Sequence, residues 1–142
     1  VSEAEQRLAK ASRGLVVLPG VTPSAMARIA RLIGAAGHLV PQPGCLLLVL
    51  GDGDDPGEAT RLVSRAFGSR SPVLAVRLHE GYLSVQRWQR GHLVDAPPAG
   101  LVADHLPQVV TPILAGTLDP ATLPGAVQVR PGGGLLRRLL GR

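Results

Sequence analysis

Carboxylates cluster where the chain leaves its most apolar run. Asp52, Asp54, Asp55 and Glu58 follow Cys45-Leu46-Leu47-Leu48-Val49-Leu50 within eight positions, and oxygen ligands at that density suit a hard divalent cation such as Mg²⁺. The same residues have simpler duties. Asp55-Pro56-Gly57-Glu58 reads as an acidic N-cap, a proline at the first helical position and a glutamate able to complete a capping box. Asp52 and Asp54 suit a glycine-rich turn. Cap and turn are the favoured reading, so no metal and no cofactor is expected, and a small metal-dependent or acid-base enzyme built on residues 52–58 stands as an alternative.

Other candidate nucleophiles and ligands are scattered. His38, His79, His92 and His105 form neither a His-x-x-x-His nor a His-Glu-x-x-His pair. Cys45 becomes a nucleophile only if a histidine approaches it, with His38 the nearest along the chain; its place at the start of an apolar strand favours an inert buried thiol. A single cysteine also excludes an internal disulfide and fits a reducing compartment. The serines lack a Gly-x-Ser-x-Gly elbow. Neither dinucleotide nor P-loop fingerprints occur, and the aspartates beside Gly51 and Gly53 would repel a phosphate.

Recognition chemistry has better material. Arg77, Tyr82 and Trp88 fall in a stretch of period two, where rigid aromatic area beside a charged donor suits a protein contact. A second contact is expected from the tail. If helical, Leu135, Leu136, Leu139 and Leu140 make an apolar stripe flanked by Arg137 and Arg138, a pattern for a partner groove, a second copy, the protein's own core or an anionic membrane surface. For nucleic acid, Arg61, Arg65 and Arg70 share a helix and Arg77, Arg87 and Arg90 the following strands, but with one Tyr and one Trp the stacking platform is thin.

The elements that must position these groups are legible from periodicity. Leu15-Val16-Val17-Leu18, closed by Pro19-Gly20, reads as a buried strand. Thr22-Pro23 opens a helix with Met26, Ile29, Ala30 and Ile33 on its apolar side, and His38-Leu39-Val40 is a short extended piece before Pro41-Gln42-Pro43-Gly44. Unbroken apolarity from Cys45 to Leu50 predicts a central strand covered on both faces. Ala59, Leu62, Val63, Ala66 and Phe67 mark a helix over 56–67. From Val73 the period is two, and turns at Glu80-Gly81 and Arg90-Gly91 predict an antiparallel meander of 73–79, 82–89 and 92–95. This register sets Leu78 beside Leu83 and Val76 beside Val85 on one face, with His79 beside Tyr82, Arg77 beside Ser84 and Val73 beside Trp88 on the other. Pro107 and Pro112 predict a broken helix over 101–114, Asp119-Pro120 a short turn, and Ala126 to Val129 an edge strand.

These elements fit a chain of 142 residues, 45% hydrophobic and 18% charged, with 2% aromatics, Gly 18 and Pro 13. The expected architecture is one small α/β or α+β domain over 1–130, with a mixed sheet of four to six strands. Two βα units with a right-handed crossover precede the antiparallel meander and the Pro-interrupted helix. A Gly-linked amphipathic tail over 131–142 follows. No apolar run approaches the roughly 20 residues of a membrane span, and Val1-Ser2-Glu3-Ala4-Glu5 does not read as a secretory leader, so a cytoplasmic location is expected. A formal charge of +5 weakly favours anionic partners. The function expected is a non-enzymatic protein-interaction or regulatory module that self-associates through its leucine-rich tail, with the enzyme and a weak nucleic-acid-binding module as alternatives.

Overall fold

The computed structural model describes residues 12–33, 36–51, 56–67 and 71–130. Tail residues Leu135, Leu136, Leu139 and Leu140 lie outside the described residues, as do Asp52, Asp54, Asp55 and Arg70.

In chain order the elements are β1 (Ser12–Pro19), a 3₁₀ turn (Pro23–Ala25) leading into α1 (Met26–Leu32), β2 (Gly37–Gln42), β3 (Cys45–Leu50), α2 (Pro56–Phe67) and β4 (Val73–His79). β5 (Tyr82–Gln89), β6 (His92–Asp95), α3 (Ala99–Val102), α4 (Val110–Ala115) and β7 (Val127–Val129) complete the described chain. Further 3₁₀ turns occupy Ala103–His105 and Pro120–Thr122. The bounds of β3, α2 and all three meander strands match those read from periodicity and turn residues.

The strands form one seven-stranded sheet in the order β6-β5-β4-β1-β3-β2-β7, and every pairing is antiparallel. The expected mixed sheet of four to six strands is therefore corrected in number and direction. The reason is the β2–β3 hairpin, turned at Pro43-Gly44 with Gly44 at φ 77. It inserts β3 between β1 and β2, so the helical crossover joins strands that are not neighbours. The connectivity βαββαβ with central order β4-β1-β3-β2 is the split βαβ, or ferredoxin-like, arrangement, widened by β5 and β6 on one side and β7 on the other. β2 also runs through Pro41 and Gln42, which the sequence reading assigned to the interruption.

Alternation along the strands divides the core between the two faces. Val16, Leu18, Leu39, Leu46, Leu48 and Leu50 face α1 and α2, which contribute Ile29, Ala59 and Val63, joined by Ile33 just past the end of α1. Leu15, Val17, Val40, Leu47 and Val49 face the chain after β6, which contributes Val110, Ile113 and Leu114. Burial on both sides explains why β1 and β3 lack polar alternation although the sheet is antiparallel, a pattern more usual in parallel sheets.

α2 differs from its expected apolar stripe. Leu62 is only half-buried and Ala66 exposed, whereas Thr60 and Ser64 are fully buried. Their hydroxyls make this burial tolerable. Thr60 Oγ1 donates to the Pro56 carbonyl at 2.5 Å, and Ser64 Oγ donates to the Arg61 carbonyl at 3.0 Å while accepting from the Gly91 amide at 2.9 Å. The last bond fastens the β5–β6 turn to the helix. Both meander turns carry positive φ at their two central residues, Glu80 at 51 and Gly81 at 82, Arg90 at 55 and Gly91 at 81. This is the geometry whose twist matches two-residue hairpins.

Candidate functional site

The β4–β5 register is the one the turns predict. Val73 pairs with Trp88, Arg77 with Ser84 and His79 with Tyr82, while Val76 with Val85 and Leu78 with Leu83 lie on the other face. Arg77, Tyr82 and Trp88 thus share the face that carries α2, but not one environment. Trp88 is half-buried where α2 packs on the sheet, and its Nε1 donates to Gln86 Oε1 at 3.2 Å. Arg77 is also half-buried. Tyr82, beyond that cover, is 79% exposed. His79 lies 3.7 Å from the Glu80 carboxylate.

At the outer edge, β6 pairs only with residues 87–89 of β5, and a bulge interrupts the register between Arg87 and Trp88. Arg87 grips Asp95 with both Nε and Nη2, the Nε bond measuring 2.6 Å. The guanidinium holds the Asp95 carboxyl below its ordinary range, and the carboxylate in turn raises Arg87. Around this latch Leu93 and Val94 are exposed, and Leu101 on α3, which packs against β5, is 72% exposed. Sequence reasoning missed these three. A four-residue strand after a turn gives no periodicity long enough to show which side chains lack cover.

His38 pairs with Val49 and Cys45 with Gln42, so four ladder steps, about 13 Å, separate them. The Cys45–His38 dyad is excluded. Cys45 is half-buried rather than buried, and that burial pushes its thiol pKa up, away from reactive thiolate. In the acidic segment, both carboxylate oxygens of Glu58 accept from Arg61, at 2.6 and 3.2 Å, which lowers the Glu58 pKa. Among the described residues no group of three His, Cys, Asp or Glu side chains is placed to hold a metal. Arg77 and Arg87 lie on opposite faces, Arg61 is engaged by Glu58, and the Arg65 stem packs over Gly91. These cations do not form one stripe.

A cleft of about 300 Å³ opens at the other side of the sheet. Its floor crosses four strands: Arg13 on β1, Val49 on β3, His38 on β2 and Gln128 on β7, with Ile113, Leu114, Asp119 and Pro120 above. Gln128 pairs with His38 and His38 with Val49, so the floor is a lateral row on one face. Its backbone rim is held by the Gly51 amide, which donates to the Ala36 carbonyl at 3.1 Å. Residues drawn from positions 13 to 128 cannot be seen as a set in sequence.

No protein-family model matches the chain, and no curated protein or solved structure matches it. The split βαβ connectivity therefore describes the backbone and brings no activity with it. Among the described residues no helix is long and apolar enough to cross a membrane.

Proposed function

We propose that this domain is a non-catalytic protein-interaction or regulatory module whose contact surface runs along the β5–β6 edge. The observation that carries this reading is the distribution of exposed apolar area. Among the described residues six large apolar side chains are exposed; Tyr82 on β5, Leu93 and Val94 on β6, and Leu101 on α3, which packs against β5, belong to this edge, leaving Leu32 and Val127 elsewhere. Large apolar side chains gathered at one edge mark interaction surfaces more reliably than scattered ones. Tyr82 supplies a rigid amphipathic anchor, and the Arg87–Asp95 pair a polar rim. Arg77 and Trp88 support the strand beneath it from the α2 side. Leu135, Leu136, Leu139 and Leu140 furnish a second contact in this reading, with a second copy of the chain as the first partner to test.

Light scattering coupled to size exclusion tests it on the full chain, on Tyr82→Ser with Leu93→Ser, and on a version ending at Val129. The expected result is an oligomer that loses mass in both altered forms, with circular dichroism unchanged. A monomeric full chain removes self-association. An oligomer indifferent to both changes removes the edge and the tail.

A further inference from the structure

The outer side of β5 is covered along only part of its length. β6 meets Arg87, Trp88 and Gln89 and stops, so residues 82–86 pair with β4 on one side and, among the described residues, with nothing on the other. The Glu80-Gly81 turn decides which backbone groups are left over. A two-residue turn closes on a hydrogen-bonded pair, here His79 with Tyr82. Alternation along the ladder then points the N–H and C=O of Ser84 and Gln86 toward β4 and those of Leu83 and Val85 outward. Arg87 and Gln89, next in the outward series, are the residues that pair with Asp95 and His92 of β6. Natural sheet edges are shielded by charge, proline, bulges or brevity, and elsewhere this sheet follows the rule. The β6 end has its bulge and the Arg87–Asp95 latch, β2 beyond β7 carries Pro41 with Gly125 close against it, and β7 is three residues long. Residues 82–86, Tyr-Leu-Ser-Val-Gln, have none of these devices.

We propose, building on the self-association reading of the β5–β6 edge, that a second copy of the chain fills this gap by strand addition. The two β5 strands pair antiparallel about a two-fold axis at Leu83, and two seven-stranded sheets become one. The Leu83 backbones then exchange reciprocal N–H···O bonds. Each Tyr82 ring, 79% exposed on the α2 side, stands opposite the exposed Ser84 of the other copy, whose small side chain leaves room for it. On the opposite face the two Leu83 side chains meet, each already at the core margin with Ala99 and Val102 of its own chain. The paired run has no charge, so no like charges face each other and the surface is its own complement. β6 sets the register. Centred on Ser84, the pair would bring Gly81 level with Arg87 of the other copy, where Asp95 already holds the outer side; centred on Leu83, Gly81 comes level with Val85 and the ends clear.

Light scattering and residue-resolved amide exchange on the full chain, each over a dilution series, test the pair. The Leu83 amide should exchange about tenfold more slowly where mass reports the dimer than where it reports the monomer. The Ser84 amide, bonded to β4 in both, should stay protected throughout. Tyr82→Lys with Ser84→Lys sets lysine opposite lysine on both sides of the axis and should weaken the dimer about tenfold. Tyr82→Lys with Ser84→Glu sets lysine opposite glutamate and should restore it. Both positions are exposed, so circular dichroism of the two double variants should match the parent. A dimer whose Leu83 amide exchanges as in the monomer overturns the strand pairing and leaves self-association standing. Equal dimer strength in the two double variants overturns the register at Leu83. A slow Leu83 amide in a monomer gives the edge to a segment of the same chain, and a monomer with a fast one removes self-association itself; either overturns the pair.

Discussion

On one face of the sheet Leu18, Leu46 and Leu48 lie beneath α1 and α2; on the other Leu15, Leu47 and Val49 lie beneath a cover in which no described helix exceeds six residues. The sheet sides of the two interfaces are equally apolar, because both use alternate residues of the same strands. What differs is the cover. α2, at 12 residues, sets successive turns of side chains against the sheet in a regular stripe. The cover on the second face is interrupted at Pro107, while Pro112 sits in the first turn of α4, and it touches down through separate residues, Val102, Leu106, Val110, Ile113, Leu118 and Leu123. A cover of that kind need not follow the twist of the sheet to its end, and the Arg13–Asp119 cleft is the gap it leaves. Regular secondary structure closes a sheet face; an irregular cover can leave a site open on it.

The largest test of this contrast is a pair of truncations one residue apart. Leu47 and Leu48 are both fully buried, on opposite faces. Each change to Ala should cost about 2–5 kcal/mol, with Leu48→Ala toward the upper figure because paired helices collapse around a void less readily than a jointed cover. Urea unfolding of the two variants reads the difference, and equal losses would mean that the nature of the cover does not matter. Next comes Gly37→Ala, at the corner where β2 begins beside β3. A Cβ there would lie 2.2 Å from the Val49 carbonyl oxygen, so backbone rather than a flexible side chain must move. The expected loss is about 1–3 kcal/mol, seen in the same unfolding experiment, with the Gly51–Ala36 rim of the cleft disturbed.

Smaller effects distinguish how the meander is tied to the two faces. Ser64→Ala removes the acceptor for the Gly91 amide and should cost about 1–2 kcal/mol. Hydrogen exchange at Gly91 should accelerate, and unchanged protection would show that the turn holds without the helix. In the opposite direction, Glu80→Asn relieves a non-glycine residue held at φ 51. Asn tolerates the left-handed region and forms the favoured Asn-Gly hairpin turn, so a gain of up to about 1 kcal/mol in thermal unfolding is expected. A loss would mean that the exposed Glu80 makes a contribution its turn position hides.

The meander was legible because its information is local. Glu80-Gly81 and Arg90-Gly91 fix the turns, each turn fixes a register, and the register fixes which residues share a face. α2 was legible at its ends, from Pro56 and Gly68, but its buried side was misjudged by one position. Thr60 and Ser64 are polar by residue type, yet their hydroxyls are satisfied by the helix's own carbonyls, so polarity was a poor guide to exposure. Sheet order was hidden because two βα units look alike whether their strands become neighbours or admit a third between them, and only the Pro43-Gly44 turn inserts β3. Neither the edge patch nor the cleft has a local signature. Leu93 and Val94 are exposed because no strand or helix lies over them, and Arg13, His38, Asp119 and Gln128 meet only once the sheet is assembled.

The least energetic but most local test compares the two sheet edges. β6 carries the Arg87–Asp95 latch, whereas β7 is Val127-Gln128-Val129 and has no acid to titrate. Asp95 has its pKa lowered from 3.8 by the Arg87 hydrogen bonds, so the latch contributes fully above that value and is lost as pH falls through the lower folded value. Both side chains are more than two-fifths exposed, so solvent screens the pair and its loss should loosen the edge without unfolding the domain. Below about pH 3.8, amide exchange in β6 should rise relative to β7, while between pH 5 and 8 the ratio holds steady. Arg87→Gln should raise the Asp95 titration midpoint toward 3.8 and remove the acid response of β6. If the midpoint does not move, the guanidinium is not what holds Asp95, and the polar rim of the proposed contact surface must be sought in other residues.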